Sequence, residues 1–395
     1  MQFFYNLQLV NKDFTGFISR QVILVQNGLI KWIGPEKDIP LAKNNSKIKK
    51  INLKNQKVLP SFIECHTHSI FAGSRAEEFE LRNTGTSYLE IAARGGGILS
   101  TVTKTRAMNE TEMLKISQMR INEFVRQGVS TVEIKSGYGL DTKTEIKMLT
   151  VARKLKGPRI VTTFLGAHAK PHEFESFERY LEDIIKNTLP HLKKKKLSNR
   201  VDIFIEKNFF EKDIGKKYLK KFQEQGFDIT IHANQLSQSG GAELAIELKA
   251  KSADHVIQLS DDTIKKFGTS KVVTVLLPAA DLYMKCDYPP ARKLIDAGAT
   301  VALATDFNPG TSPTQDLMLV GLLARLKMGM TLSEVFKAYT INAACALGIE
   351  CEEGSLEVGK KANFICTEFD LTDFFYSAGH VPKHRLFIGG KEIKI

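Results

Sequence analysis

The sequence has no uninterrupted apolar stretch near the ~20 residues that a membrane-spanning helix needs; "VVTVLLPAA" is among its longest. Its opening, "MQFFYNLQLVNKDF", shows no basic segment leading into an apolar core and a small-residue cleavage site. The expectation is a cytoplasmic protein with no membrane partner. Cysteine is scarce. Cys65, Cys286, Cys345, Cys351 and Cys366 are odd in number and form no CxxC pair, which excludes a disulfide framework and reads as reduced thiols. A phosphate-binding loop is also missing: "RGGGI" at 94–98 has neither a preceding strand nor a following lysine. It reads as a flexible active-site loop whose glycines allow close backbone approach. Charge is not scarce, with a net of +12. The lysines, however, are spread through amphipathic segments. "KKKK" at 193–196 falls in an expected loop after Pro190, with no aromatics interleaved. That pattern is a solvated surface and argues against a nucleic-acid partner.

What is present is an alternation. The 395 residues, 43% hydrophobic, suffice for one large α/β barrel or two medium domains. Eight apolar runs read as strands: 58–65, 129–135, 159–167, 201–206, 227–232, 252–257, 272–277 and 300–305. Between them lie helical patterns such as "NETEMLKISQMRINEFVRQG", with Leu114, Ile121 and Val125 on one stripe and Gly128 as the stop. Runs apolar enough to be buried on both faces, eight in number, predict a closed (β/α)8 barrel over 58–347. Both ends read differently. Asn27-Gly28 and Gly389-Gly390 sit between short strand patterns as hairpin turns. Residues 1–57 and 348–395 are therefore expected to build one small β-sandwich domain together.

The polar residue at or after each strand's carboxyl end is informative, because active sites of such barrels lie at that face. The series is His66 and His68, then Glu133 and Lys135, His168, Glu206, His232, His255 and Asp306, with Pro278 the bland exception. Five of the nine histidines are strand-terminal. In extended chain, residues i and i+2 point to one side, so His66 and His68 can share a metal ion while Cys65 faces away to pack. Adding His232 and Asp306 makes a credible site for one Zn²⁺ or Fe ion per subunit, with room for water. His255 is the candidate general base, expected neutral and poised near physiological pH; Asp306 could share that role, and His255 could instead be a further ligand. Lys135 could in principle be carbamylated and bridge two metals, but nothing in "VEIKSGYG" favours that over a single ion.

"LPSFIECHTH" resembles the first-strand signature of the amidohydrolase superfamily. The segments "FAGSRAEEFELRNTGTSYLEIAARGGGILSTVTKTR", "EIKSGYGLD", "TFLGAHA", "HANQLSQSGGAELA", "SADHV" and "ATDFNPGTSP" together look like its imidazolonepropionase family. That resemblance implies metal-dependent ring opening of the small-molecule substrate 4-imidazolone-5-propanoate, and a homodimer. It carries the metal onto His66, His68, His232 and Asp306. Arg75 would meet the substrate carboxylate, unless it merely pairs with Glu77 or Glu78. Tyr138, His168, Gln235, Asn308, Gly310 and Thr311 would contact substrate or product, with Tyr88 a further carboxylate partner. Gln235 stands where some relatives carry Glu, and Asn234 where some carry an acid. A glutamine cannot act as a base, so the base role passes to His255, with Gln235 left to hold substrate or water by hydrogen bonds. Two other readings are weighed against this: another cyclic amidase or a deaminase on the same barrel, and a non-catalytic binding protein.

Overall fold

The computed structural model describes residues 1–39, 48–86 and 96–394. Fifteen strands occur among them: β1 (Gln2–Val10), β2 (Phe17–Gln26), β3 (Leu29–Pro35), β4 (Lys49–Pro60), β5 (Phe62–Glu64), β6 (Val129–Lys135), β7 (Arg159–Ala167), β8 (Arg200–Ile205), β9 (Asp228–Ala233), β10 (Ser252–His255), β11 (Val273–Leu276), β12 (Val301–Leu303), β13 (Phe364–Thr367), β14 (His384–Ile388) and β15 (Lys391–Ile393). Strands β5 to β12 pair in chain order, each parallel to the next, and helices follow them. This is the (β/α)8 barrel, and its strands are buried almost throughout, as the apolar runs demanded.

No regular ladder joins β12 back to β5; side-chain and backbone bonds just beyond the strand ends close the ring. The Glu64 carboxyl accepts from the backbone N–H of both His66 (3.1 Å) and Thr305 (3.1 Å). Asp306 N–H donates to the His66 carbonyl at 3.1 Å, and His68 N–H to that of Phe307 at 2.9 Å. Burial pushes Glu64 up to about 8 in spite of these donors. Closure of the barrel thus brings the first and last strand ends side by side.

The termini form one mixed sheet of seven strands in the order β15-β14-β13-β4-β1-β2-β3. The expected small β domain of both termini is present as one continuous sheet that folds back on itself, and β1 carries register shifts on both its neighbours. Ile30 N–H donates to the Lys360 carbonyl and Ala362 N–H to that of Gly28, both at 2.8 Å. One face closes over Phe4, Val25, Val58, Phe364 and Phe387. Strand β4 stays in this sheet to Pro60, so the run 58–65 splits between two sheets, one residue apart. Both hairpin turns take left-handed backbone: φ is 53° and 79° at Asn27 and Gly28, and 56° and 73° at Gly389 and Gly390. That is the geometry an Asn-Gly or Gly-Gly pair supplies cheaply. Sheet and barrel meet in an aromatic cluster, where Phe62 lies within 6.3 Å of Phe336, Tyr339, Phe374 and Phe375.

Two local expectations change. The helix Glu110–Arg126 buries Met113, Ser117, Ile121, Phe124 and Val125, leaving Leu114 at the edge of the stripe. "KKKK" is not a loop: Lys193 to Lys195 form the last turn of the helix Leu189–Lys195, with Pro190 in its first turn and Lys196 left-handed at its end. Cations there face the negative end of the helix dipole. Among the described residues, no helix is long and apolar enough to cross a membrane.

Candidate metal and substrate site

At the carboxyl ends of the barrel strands, four donor atoms converge. His66 Nε2 and His68 Nε2 each lie 3.4 Å from Asp306 Oδ1, and His68 Nε2 lies 3.4 Å from His232 Nε2. All four residues are buried, and His66 Nε2 and Asp306 Oδ1 have no hydrogen-bond partner. Four ligands about 2.1 Å from a tetrahedral centre stand about 3.4 Å from one another. These three separations, and the donor chemistry, therefore fit Zn²⁺ or a similar divalent ion, with His66, His68 and Asp306 also grouped within 4.8 Å of one another. Cys65, immediately before His66, points into apolar packing with Val273, Ala302 and Ala304.

Backbone conformation aims these groups. His255 has φ 74° and Asp306 φ 52°, in the left-handed region that a β-like strand end does not normally enter. Such positions cost of order 1–3 kcal/mol each and persist where surrounding structure imposes them. Asn234, with φ 51°, follows the same pattern, but its side chain turns away from the cavity. It donates to the Gln258 carbonyl and accepts from Ala242 N–H.

A second tier lies beneath the imidazoles. His66 Nδ1 is 2.6 Å from Asp254 Oδ2, and His232 Nδ1 is 2.9 Å from Asp202 Oδ2. Carboxylates on Nδ1 turn Nε2 towards the metal position. Burial and Lys135 press the His66 imidazolium down, yet Asp254 wins and holds it up to about 9; metal binding there must release a proton. Burial lowers His68 to about 4. Asp306 is held well below the usual carboxylate range, because its contacts to His66 and His68 outweigh burial. His255, 2% exposed, is pushed well below its ordinary value by burial, so it is neutral rather than poised near pH 7. Its ring lies 5.2 Å from His232 and 5.7 Å from His66.

Lys135 Nζ makes ion pairs with Glu133, Asp202 and Asp254. It is an ammonium within a carboxylate cluster, surroundings that favour a cation over an anionic carbamate. Glu206, also at a strand end, accepts from Leu236 and Ser237 N–H and organises the loop after β9.

A cavity of about 340 Å³ opens above the donor atoms, lined by His68, His232, His255 and Asp306 together with Arg75, Tyr138, His168, Gln235, Asn308 and Thr311. Sequence reasoning named all ten. His168 stacks on His68 at 5.1 Å and donates from Nδ1 to the Gly137 carbonyl, presenting Nε2. Gln235 Nε2 lies 3.4 Å from Met284 Sδ. Arg75 Nε donates to Glu78 at 2.8 Å, one of the two rival partners foreseen, but in a largely buried setting and not on the surface. Its guanidinium lies against Gly310: a Cβ there would sit 2.1 Å from Arg75 Nη1. Asn308, expected to touch substrate, commits its side chain to its own turn, accepting from Gly310 and Thr311 N–H and donating to the Asp306 carbonyl. Tyr88, and residues 94 and 95 of "RGGGI", lie outside the described residues.

Sequence reasoning did not single out Glu64, Asp202, Asp254 or Arg82. The first three carried a signal: a carboxylate inside an otherwise apolar strand is too costly to be incidental. Arg82 lines the same cavity and donates to the Gly310 carbonyl, but as one cation on a surface-like helix it carried none. A larger cleft of about 660 Å³ lies at the opposite, amino ends of β7 to β9 and contains none of the metal-site residues.

The Amidohydrolase family profile matches residues 57–393. The chain is 52% identical to the imidazolonepropionase of Bdellovibrio bacteriovorus, over 97% of this chain and 91% of that one. It is 40% identical to the imidazolonepropionase of Clostridium tetani, over 92% and 88%. In fold it is similar to a zinc-bound adenosine deaminase from Xanthomonas campestris, with TM-score 0.76, 17% identity and coverage of 99% and 92%. E. coli guanine deaminase is comparable, at TM-score 0.74, 14% identity and coverage of 100% and 99%.

Proposed function

The chain belongs to the amidohydrolase family and, within it, to the imidazolonepropionases, and on that premise we propose how its residues divide the work. The reaction is the metal-dependent hydrolysis of the cyclic amide of 4-imidazolone-5-propanoate to N-formimidoyl-L-glutamate, in histidine degradation. The observation that carries the site assignment is three 3.4 Å contacts linking the donor atoms of His66, Asp306, His68 and His232, at the floor of the cavity that Arg75 also lines.

In this reading His66, His68, His232 and Asp306 hold one ion, Zn²⁺ or Fe. When bound, such an ion polarises a carbonyl and lowers the pKa of water towards ~7. Arg75 receives the propanoate carboxylate on its planar fork, with Gly310 giving the guanidinium room to lie flat and Glu78 fixing its orientation. His168, Tyr138 and Gln235 border the ring and orient it by hydrogen bonds and stacking; Thr311 completes the wall, and Asn308 acts by holding the 306–312 turn. His255, neutral, accepts the proton of the attacking water and passes it to the ring nitrogen as the C–N bond breaks. Water's oxygen then stays in the new carboxylate. Asp306 assists on the same face, while Gln235 takes no part in proton transfer. Tyr88 remains a proposed carboxylate partner. We also propose a homodimer, a cytoplasmic location, and an organisation in which 58–347 is the catalytic unit and 1–57 with 348–395 its small β partner.

The direct test mixes metal-quantified protein with freshly generated 4-imidazolone-5-propanoate and follows its ultraviolet absorbance. The expected result is loss of absorbance with formimidoylglutamate appearing in equal amount; metal-loaded protein that leaves the substrate untouched would sink the assignment. A second expectation concerns Arg75. Arg75→Met should raise KM by on the order of 10- to 100-fold, since a hydrogen bond to a charged group is worth about 1.5–3 kcal/mol. Metal content should not move. If KM is unchanged, the carboxylate is bound elsewhere, and Arg82 becomes the cation to examine.

A further inference from the structure

Among the described residues, Lys135 is the one fully buried lysine, with 1% exposure, and it lies beneath the site. Its Nζ lies 3.1 Å from Glu133 Oε1, 2.9 Å from Asp202 Oδ2 and 3.5 Å from Asp254 Oδ2. These residues come from β6, β8 and β10, three alternate strands. Alternate strands of a (β/α)8 barrel supply one interior layer, ordinarily filled by branched apolar side chains. Here that layer is ionic. Donor atoms of Asp202, His232 and Asp254 also lie within 4.8 Å of one another, close enough for the three to ligate a divalent ion. This second donor set shares His232 with the first, which uses the ring's other nitrogen.

We propose that Lys135 is a built-in cation occupying a latent second metal position. Its ammonium stands where another divalent ion would otherwise bind, and keeps the protein mononuclear. The same contact makes it a positioning residue: it holds Asp254 on His66 Nδ1 and Asp202 on His232 Nδ1, so that both Nε2 atoms face the catalytic ion.

The physical argument has two parts. Buried carboxylates need a compensating charge, and removing one partner of such a cluster leaves the others uncompensated. A dissociable ion would meet that need only while bound. An ammonium tethered to β6 meets it permanently, with three donors for three carboxylates. Second, a cation of charge one, not two, weakens repulsion of the neighbouring catalytic ion across a short gap of low dielectric. Lysine is thereby a better neighbour to the first metal than a second metal would be.

The inference rests on the reading that His66, His68, His232 and Asp306 bind one ion. The test compares wild type, Lys135→Ala and Lys135→Met as purified full chains loaded with Zn²⁺ and desalted. Metal per chain is measured by mass spectrometry, Zn²⁺ affinity by competition with a chromophoric chelator, and folding by near-ultraviolet circular dichroism. Wild type should hold one ion. Lys135→Ala, which opens the position, should hold two, the second released by the weaker chelator. Lys135→Met fills the position without charge; it should hold one, bound about 10- to 100-fold more weakly, as is usual when the outer partners of ligating histidines are released. The inference is overturned if both variants hold one ion with wild-type affinity, which would make Lys135 a space-filler. It is also overturned if wild type itself holds two. Should Lys135→Ala fail to fold, the affinity of Lys135→Met decides alone. Wild type that binds no ion would instead bring down the metal-site reading, and this inference with it.

Discussion

His255→Ala should retain one metal ion per chain while kcat falls on the order of 10²- to 10⁴-fold, the range that a positioned general base contributes. The residue ends β10 with φ 74°, and the backbone turn there sets the imidazole beside His232 and His66 at ring distances of 5.2 and 5.7 Å. Its Nδ1 has no hydrogen-bond partner and its ring borders the cavity, so it is neither a capped core histidine nor remote from substrate. Burial holds it neutral well below the ordinary histidine value, so kcat/KM should show no acid limb from this group near its usual pKa of about 6.5. A paired measurement of metal content and kcat decides the role. His66, His232 and His255 could also ligate an ion as a trio. If the alanine variant loses the ion along with activity, His255 is a ligand and the base must be found elsewhere, with Asp306 next in line.

The second large effect is expected at Asp306. Its Oδ1 lies 3.4 Å from both His66 and His68 Nε2, and no other described residue supplies an anionic donor to that group. Asp306→Ala should release the ion and lower turnover by on the order of 10³-fold or more, because the ion's polarising effect is worth several kcal/mol and each about 1.36 kcal/mol is tenfold. Asp306→Asn keeps the shape and loses the charge; it should bind more weakly and recover part of its activity in excess Zn²⁺. Removal of metal from wild type with a chelator should reproduce the alanine phenotype, and re-addition should reverse it. Full activity in demonstrably metal-free wild type would refute the assignment.

Some of this architecture was legible from local pattern. Eight apolar runs alternating with amphipathic segments imply buried parallel strands, because only a sheet covered on both faces hides such runs. The HxH pair at 66 and 68 declares a shared direction through the two-residue period of a strand. Asn27-Gly28 and Gly389-Gly390 announce their turns through the left-handed backbone they tolerate. Ten of the residues that line the cavity also followed from position at strand ends and from family motifs.

What local pattern could not carry is distance between strands. That Glu64 would latch β5 to Thr305, and so set Asp306 opposite His66, depends on closure of a ring whose ends are 241 residues apart in the chain. Asp202, Asp254 and Lys135 look like isolated charges in apolar runs, and only a shared interior layer reveals them as one ionic cluster behind two imidazoles. Likewise, only the folded turn shows that Asn308, which lines the cavity, also ties its side chain to Asp306, Gly310 and Thr311. Residue type and period determined which groups face inwards, since a strand offers only two faces. Tertiary structure alone decided which of those groups meet, because the barrel's closure and stagger set the heights at which side chains from different strands come level.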